Sequence, residues 1–320
     1  MTKPQAAGLG VHIGLAATMA VWALNVSAVK WLTGVLDVTL VASLRMVCAS
    51  VVLMLLLVLG GRSFPRWRGR TLALACAGAL LMVYANQMLF ASAMGKTTAS
   101  NAALILALNP LINGLLEALV YRKRLSVAYV IGALLAVAGV CIVILNRPHA
   151  NFAGPSMGDL LVFASMFSFA GGVLIVQRLA RSSGAQEINV FLYLVGSAAL
   201  VIHTALTIPS PVAALQALSW REWACLAFSG AVATAMGAIA WTRGVAALGL
   251  GRAAVYMSWV PVLGVAFGAL LLGEQLTLWH LLGLILVLSG TVLSSQGFRL
   301  PAPAPISTVF SNRARKDFHP

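Results

Sequence analysis

The side chains best suited to catalysis are sparse in this 320-residue chain, and their spacing argues against an active site. His12, His149, His203, His280 and His319 are scattered, and Cys48, Cys76, Cys141 and Cys225 lack CxxC spacing. Neither set offers a metal cage, a disulfide framework or a nucleophile with a base in reach. The sequence therefore predicts no metal, no cofactor and no enzyme, and the cysteines read as small buried apolar residues. A different chemistry remains, built from one cation, several amides, aromatic rings and two prolines set among apolar residues.

Arg45 is the cation. An arginine in apolar surroundings has two readings: an electrostatic site for a carboxylate or other anionic group, or a structural residue bonded to helix ends and carbonyls. The amides are Asn25, Asn86, Gln87, Asn101, Asn109 and Asn113, of which Asn109 and Asn113 lie one helical turn apart and share a face that Glu117 continues. Such a row lines a polar path or supplies interhelical hydrogen bonds, each worth about 0.6 to 2 kcal/mol. The aromatics are Trp22, Tyr84, Phe90, Phe169, Trp241, Tyr256 and Trp259. Together the three groups suit an amphipathic organic solute, and Trp22, Asn25, Arg45, Tyr84, Asn86, Phe90, Asn109, Asn113, Phe169, Trp241, Tyr256 and Trp259 are the candidate substrate-binding residues. Pro110 and Pro261 each remove a backbone donor, freeing the carbonyls of Leu106 and Met257 and kinking the helix.

The elements that carry these residues follow from composition. With 61% hydrophobic and 9% charged residues and a mean hydropathy of +0.96, the chain lies far from the soluble average of roughly 25% charged. Apolar stretches of about 20 residues, long enough to cross a bilayer, recur over 10–32, 37–59, 71–93, 98–120, 126–145, 157–179, 188–208, 222–242, 251–272 and 277–296. The fold class is thus an all-α polytopic membrane protein of ten transmembrane helices, its first span a true helix rather than a cleaved signal. Arg45 falls about eight residues into the second span, roughly 12 Å deep at about 1.5 Å per residue. Trp31, Trp220, Trp223 and Trp279 read as interfacial anchors. Gly10 with Gly14 and Gly264 with Gly268 have the small-xxx-small spacing of close helix contacts. Glu117 and His203 are the intramembrane proton-carrier candidates, His203 reading rather as a hydrogen-bonded packing residue.

The net charge of +14 raises nucleic acid as a partner, and the distribution of cations answers it. With the N-terminus cytoplasmic, the inside segments hold Lys3, Arg62, Arg66, Arg68, Arg70, Arg122, Lys123, Arg124, Arg178, Arg181, Arg243, Arg252 and four tail cations; the outside ones hold Lys30, Lys96, Arg147 and Arg221. The positive-inside rule explains this asymmetry without a polyanion. Arg66, Arg68, Arg70, Arg122, Lys123 and Arg124 are the topology determinants, and the lipid bilayer and a small-molecule solute are the expected partners.

The chain also repeats itself. A shift of 151 residues lays Ala102–Ala103 on Ala253–Ala254, Pro110 on Pro261, Leu125 on Leu276, Gly132 on Gly283 and Gly139 on Gly290. A slightly smaller shift lays Met19 on Met166, Trp22 on Phe169 and Ala23 on Ala170. Each half then holds five spans, and an odd number forces the second half to enter the membrane inverted, the arrangement of many secondary transporters. The turn Tyr121-Arg122-Lys123-Arg124 and its mate Leu272-Gly273-Glu274-Gln275 accordingly face opposite sides, one basic and one acidic.

The stretch from Trp259 to Leu276, with Leu282-Gly283 and Ser289-Gly290, resembles the end of an EamA-type repeat of the drug/metabolite transporter superfamily. Asn109-Pro110, Leu125, Gly132 and Gly139 resemble it in the first half, as do Ala20 to Lys30 and Arg45. The resemblance implies two inverted five-helix repeats, cytoplasmic termini and a central cavity lined by helices 1, 3, 4, 6, 8 and 9. It departs from the family at Lys123, where the second repeat keeps Glu274. The expected organisation is a cytoplasmic N-terminus (1–9), repeat one (10–145), an external linker (146–156), repeat two (157–296) and a basic cytoplasmic tail (297–320). The expected activity is alternating-access transport in a bacterial inner membrane, exporting amino acids or related amphipathic metabolites. A carrier of sugar-type or drug-like solutes, a membrane-embedded enzyme and a non-transporting scaffold are the alternatives.

Overall fold

The computed structural model describes residues 9–61, 64–122, 124–146, 156–180, 183–248 and 250–297. Lys123, most of the expected linker and the basic tail lie outside the described residues. Among those described there is no strand. The long helices are α1 (Leu9–Val35), α2 (Val38–Leu59), α3 (Gly69–Met94), α4 (Ala99–Tyr121), α5 (Val127–Leu145), α6 (Met157–Leu179), α7 (Ala185–Thr207), α8 (Trp220–Ala227, Phe228–Met236 and Gly237–Leu248), α9 (Leu250–Met257 and Trp259–Leu272) and α10 (Leu278–Gly297), with a short helical turn at Pro211–Gln216 between α7 and α8. Nine have the length and apolarity of a membrane span, and α10 supplies a shorter apolar segment, Leu278–Ser294. The exposed side chains along them are largely apolar, including Val51, Leu55 and Val58 on α2, Ile131 and Leu134 on α5, and Ile285 and Val292 on α10. These outward faces suit lipid rather than water.

Local sequence sets the ends and breaks. Asp37 caps α2 by accepting the Thr39 N–H at 2.7 Å, and Ser156 with Asp159 forms a capping box on α6. Helix α4 breaks at Ala107–Leu108, directly before Asn109-Pro110, and α9 breaks at Ser258, three residues before Pro261. Both interruptions fall where a proline removes the donor that would continue the helix.

Helices α5 and α10 pack through their glycines. A Cβ on Gly132 would stand 2.4 Å from the Gly290 carbonyl oxygen, and one on Gly290 would stand 2.4 Å from that of Gly132. Gly139 and Gly283 are related in the same way at 2.7 Å. The repeat shift pairs 132 with 283 and 139 with 290, whereas the contacts run crosswise. That is the signature of two copies meeting antiparallel across a pseudo-two-fold axis, each position of one touching the mate of its neighbour.

Two sequence expectations need correction. Gly10 and Gly14 have nothing within 4 Å of a built Cβ, so they make no close helix contact, whereas Gly264 and Gly268 press against Ala103 and Ser100. Cys141 is exposed on the outer face of α5, and Cys48, Cys76 and Cys225 are only half-buried; all four are free thiols. Trp31 is partly buried and packs against the core, whereas Trp220, Trp223 and Trp279 are exposed.

Candidate functional site

Arg45 is 2% exposed and sits among helices of both halves. Its Nε donates to Ser229 Oγ on α8, and its Nη1 donates to Gln87 Oε1 on α3 at 3.2 Å. Ser229 passes the chain on by donating to Asn25 Oδ1 on α1. Gln87 donates to Asn86 Oδ1 at 3.0 Å, and Asn86 donates to the Ser165 carbonyl on α6 at 2.9 Å. One continuous polar network therefore joins α1, α2, α3, α6 and α8. The sequence predicted Asn25, Arg45 and Asn86 separately; the structure brings them together through Gln87 and Ser229.

Ser229 escapes sequence reasoning because its position depends on an irregular helix. Residues Phe228–Met236 of α8 and Leu80–Ala85 of α3 are π-helical, and the two segments are mates under the repeat. Widening a turn releases carbonyls from the helical ladder, and such segments concentrate at functional sites. The released groups are claimed by the first helix of the opposite half. Trp22 Nε1 on α1 donates to Ala233 O at 2.9 Å, and Ser168 Oγ on α6 donates to Leu81 O at 2.7 Å. Phe169, the mate of Trp22, has no polar hydrogen, and its neighbour Ser168 takes that role. Thr234 donates back to Ser229 O at 2.8 Å, five residues earlier. Trp22 also meets Trp241, with ring centroids 5.9 Å apart. Gly237 leaves room for the indole: a Cβ there would stand 2.5 Å from Trp22 Nε1.

On α4, Asn109 and Asn113 present amide oxygens that are buried and without a hydrogen-bond partner. Buried polar atoms are rarely left so unless something supplies the partner, such as water or a ligand. The remaining predicted residues disperse. Tyr84 is bonded to His203 of α7, hydroxyl to Nδ1, at 2.7 Å, and Tyr256 is bonded to His12 Nδ1 of α1 at 2.6 Å. Phe90 belongs to the packed core. Trp259 is 56% exposed. Pro261 is buried and Pro110 exposed, despite their equivalence in sequence. Arg66, Arg68, Arg70, Arg122 and Arg124 are all exposed at one end of the bundle.

At the opposite end, carboxylates tie helices of the two halves together. Glu274, in the turn after α9, accepts the Ala99 N–H at 2.6 Å, the Ser100 N–H at 2.9 Å and the Ser100 hydroxyl at 2.5 Å. A repeat-two carboxylate thereby caps a repeat-one helix, where free N–H groups and the helix dipole favour a negative charge. Lys30, within electrostatic reach of Glu274, donates to the Met94 carbonyl at the end of α3 at 2.8 Å. Asp159 accepts the Thr97 hydroxyl at 2.7 Å beside them.

A model of the EamA-like transporter family matches residues 9–145 and 156–296. Relatives include an uncharacterized transporter, YetK, of Bacillus subtilis, 24% identical over 88% of this chain and 86% of its own length. A probable amino-acid metabolite efflux pump of Salmonella typhimurium is 28% identical over 64% of this chain and 70% of its own. A biotin transporter of the same organism is 28% identical over 71% and 73%. A solved crystal structure superposes with a TM-score of 0.62 at 18% identity, covering 94% of this chain and 97% of that one, which establishes likeness of fold.

Proposed function

Because the chain belongs to the EamA-like transporter family, we propose that it carries a small organic solute across the membrane by alternating access, exporting amino acids or related amphipathic metabolites. The observation that carries this reading is the crossed contact of Gly132 with Gly290 and Gly139 with Gly283. Two halves related by inversion can exchange roles, so that one end opens as the other closes. The Glu274 cap closes the Lys30 end, and opening that end must break it.

In this reading the N-terminus is cytoplasmic, the Lys30 end faces outward, and repeats 10–145 and 157–296 flank an external linker in the bacterial inner membrane. The solute sits between α1, α3, α4, α6, α8 and α9. Trp22 and Trp241 stack against its apolar part, while Asn25, Arg45, Asn86, Asn109 and Asn113 meet its polar groups. Relatives named for amino-acid metabolites and for biotin support a small organic solute. Flux of labelled amino acids and carboxylated metabolites into and out of proteoliposomes tests it. Saturable flux of one solute class is expected, and an absence of flux for every solute class would end the carrier reading.

A further inference from the structure

Arg45 retains hydrogen-bonding capacity that the protein does not use. A guanidinium has five N–H donors, and those of Arg45 that bond to described residues sit on Nε and Nη1. Nη2 makes no hydrogen bond to a described residue. The side chain is buried, 2% exposed, so a group that pairs with Nη2 must meet it inside the bundle. Both acceptors that Arg45 does have are neutral, and no described carboxylate pairs with it.

A structural arginine in a membrane bundle is expected to spend its donors on helix ends or carbonyls, or to meet a counter-ion. Arg45 does neither. Placing its charge inside a membrane helix is costly. Its two acceptors are a hydroxyl and an amide oxygen, so Ser229 and Gln87 hold the side chain in place without neutralising it. They also fix its plane. Ser229 is itself oriented by Asn25 and Gln87 by Asn86, so the fork is pre-organised from both sides. An ordered guanidinium with an unpaired Nη2 and no counter-ion among the described residues is complementary to a planar carboxylate, which it grips through two parallel N–H···O bonds.

Resting on the carrier reading for the site itself, we infer that Arg45 is the residue that reads a carboxylate on the transported solute, with Gln87 and Ser229 as its positioning residues. The transported class is then carboxylate-bearing: acids are held through Arg45 Nη1 and Nη2, and the matching carboxamides, which lack the anionic pair of acceptors, are held weakly. Exchange of Arg45 for lysine keeps the charge but loses the fork, and should recover only part of the discrimination.

The test is equilibrium binding to the full-length protein in nanodiscs of neutral phosphatidylcholine, so that no anionic headgroup competes. The probes are L-phenylalanine, L-leucine and 4-phenylbutyrate, each beside its own carboxamide, with tryptophan fluorescence and thermal stabilisation as readouts. Wild-type protein should bind at least one acid tenfold or more tightly than its amide. Arg45→Gln should weaken that acid tenfold or more and leave the amide within twofold, and Arg45→Lys should fall between. Should Arg45→Gln not fold, Gln87→Leu keeps the charge but frees the fork, and should lower the ratio of acid to amide affinity severalfold. Equal affinity of acid and amide in the wild type, or no acid bound at millimolar concentration, overturns the inference; so does equal loss of both in the variants. Flux assays separate this from the carrier reading: acid preference without transport of any solute sinks only the latter, and transport without acid preference sinks only the former.

Discussion

Gly132 on α5 and Gly290 on α10 stand in a reciprocal contact, each occupying the space in which the other's Cβ would strike its own carbonyl oxygen. Because either substitution pushes the same two backbones apart, their costs should not add. Gly132→Ala and Gly290→Ala are each expected to destabilise the protein by about 1 to 3 kcal/mol through overpacking. The double variant should cost clearly less than the sum, since the gap opened by the first methyl admits the second. Thermal unfolding of the purified protein in detergent checks this, and wild-type midpoints for both single variants would mean that the interface is looser than its geometry.

Helices α4 and α9 end on caps of the same conformation. Arg122 ends α4 in the left-handed region at φ 51°, and its repeat mate Gly273 ends α9 at φ 66°. Glycine accepts that conformation freely, whereas a side chain there costs roughly 1–2 kcal/mol. Substitutions at equivalent sites should therefore have opposite signs: Arg122→Gly raises the unfolding midpoint and Gly273→Ala lowers it. A shift in the same direction at both sites would refute the equivalence.

These turns mark how far the sequence could be read. Ten helices, two kinks and the repeat all follow from patterns that a single chain displays: runs of apolar residues, isolated prolines and matched glycines. The site was legible only in part. Asn25, Arg45 and Asn86 stand out as polar residues in apolar surroundings, but the residue that joins Asn25 to Arg45 is Ser229, one of many serines. It reaches them from a π-helical segment, and hydrophobic periodicity carries no mark of a widened turn. Tyr84 and Tyr256 stand among the candidate aromatics of the cavity, yet each is held by a histidine on another helix. The residue type is written locally; the partner that claims a hydroxyl comes from a distant part of the chain.

Glu274 ties the α9–α10 turn to the start of α4 through three hydrogen bonds. Glu274→Gln keeps the size but replaces one acceptor oxygen with an NH2 donor that faces another donor, at a cost of about 1 to 3 kcal/mol. The amides of Ala99 and Ser100 should then exchange with deuterium several times faster, and Glu274→Ala should accelerate them further. Unchanged exchange at the start of α4 in both variants would show that the cap does not hold this end closed.

Orientation has its own test. Single cysteines introduced at position 274 and position 123 of a cysteine-free background occupy mate positions of an inverted pair. A membrane-impermeant maleimide added to intact cells should label the first and spare the second, because the cation-rich turn is retained in the cytoplasm. Labelling of position 123 alone would reverse the assignment of the Lys30 end to the outside.

Trp22 performs two tasks that one substitution can separate. Its indole N–H satisfies the Ala233 carbonyl released by the π-helical segment of α8, while its ring meets Trp241. Trp22→Phe keeps an aromatic surface and removes the donor, stranding a carbonyl in a region where water is scarce; the expected cost is about 1 to 3 kcal/mol. Trp241→Phe leaves that hydrogen bond intact and trims only the ring contact, worth about 0.5 to 1.5 kcal/mol. If the π-helical segment is maintained by Trp22, the first variant should lose more stability than the second and should also loosen Ser229 from Arg45. Solute binding by Trp22→Phe would then weaken most for acids. Equal stability loss in the two variants, with the preference for acids intact, would assign Trp22 to ring packing alone.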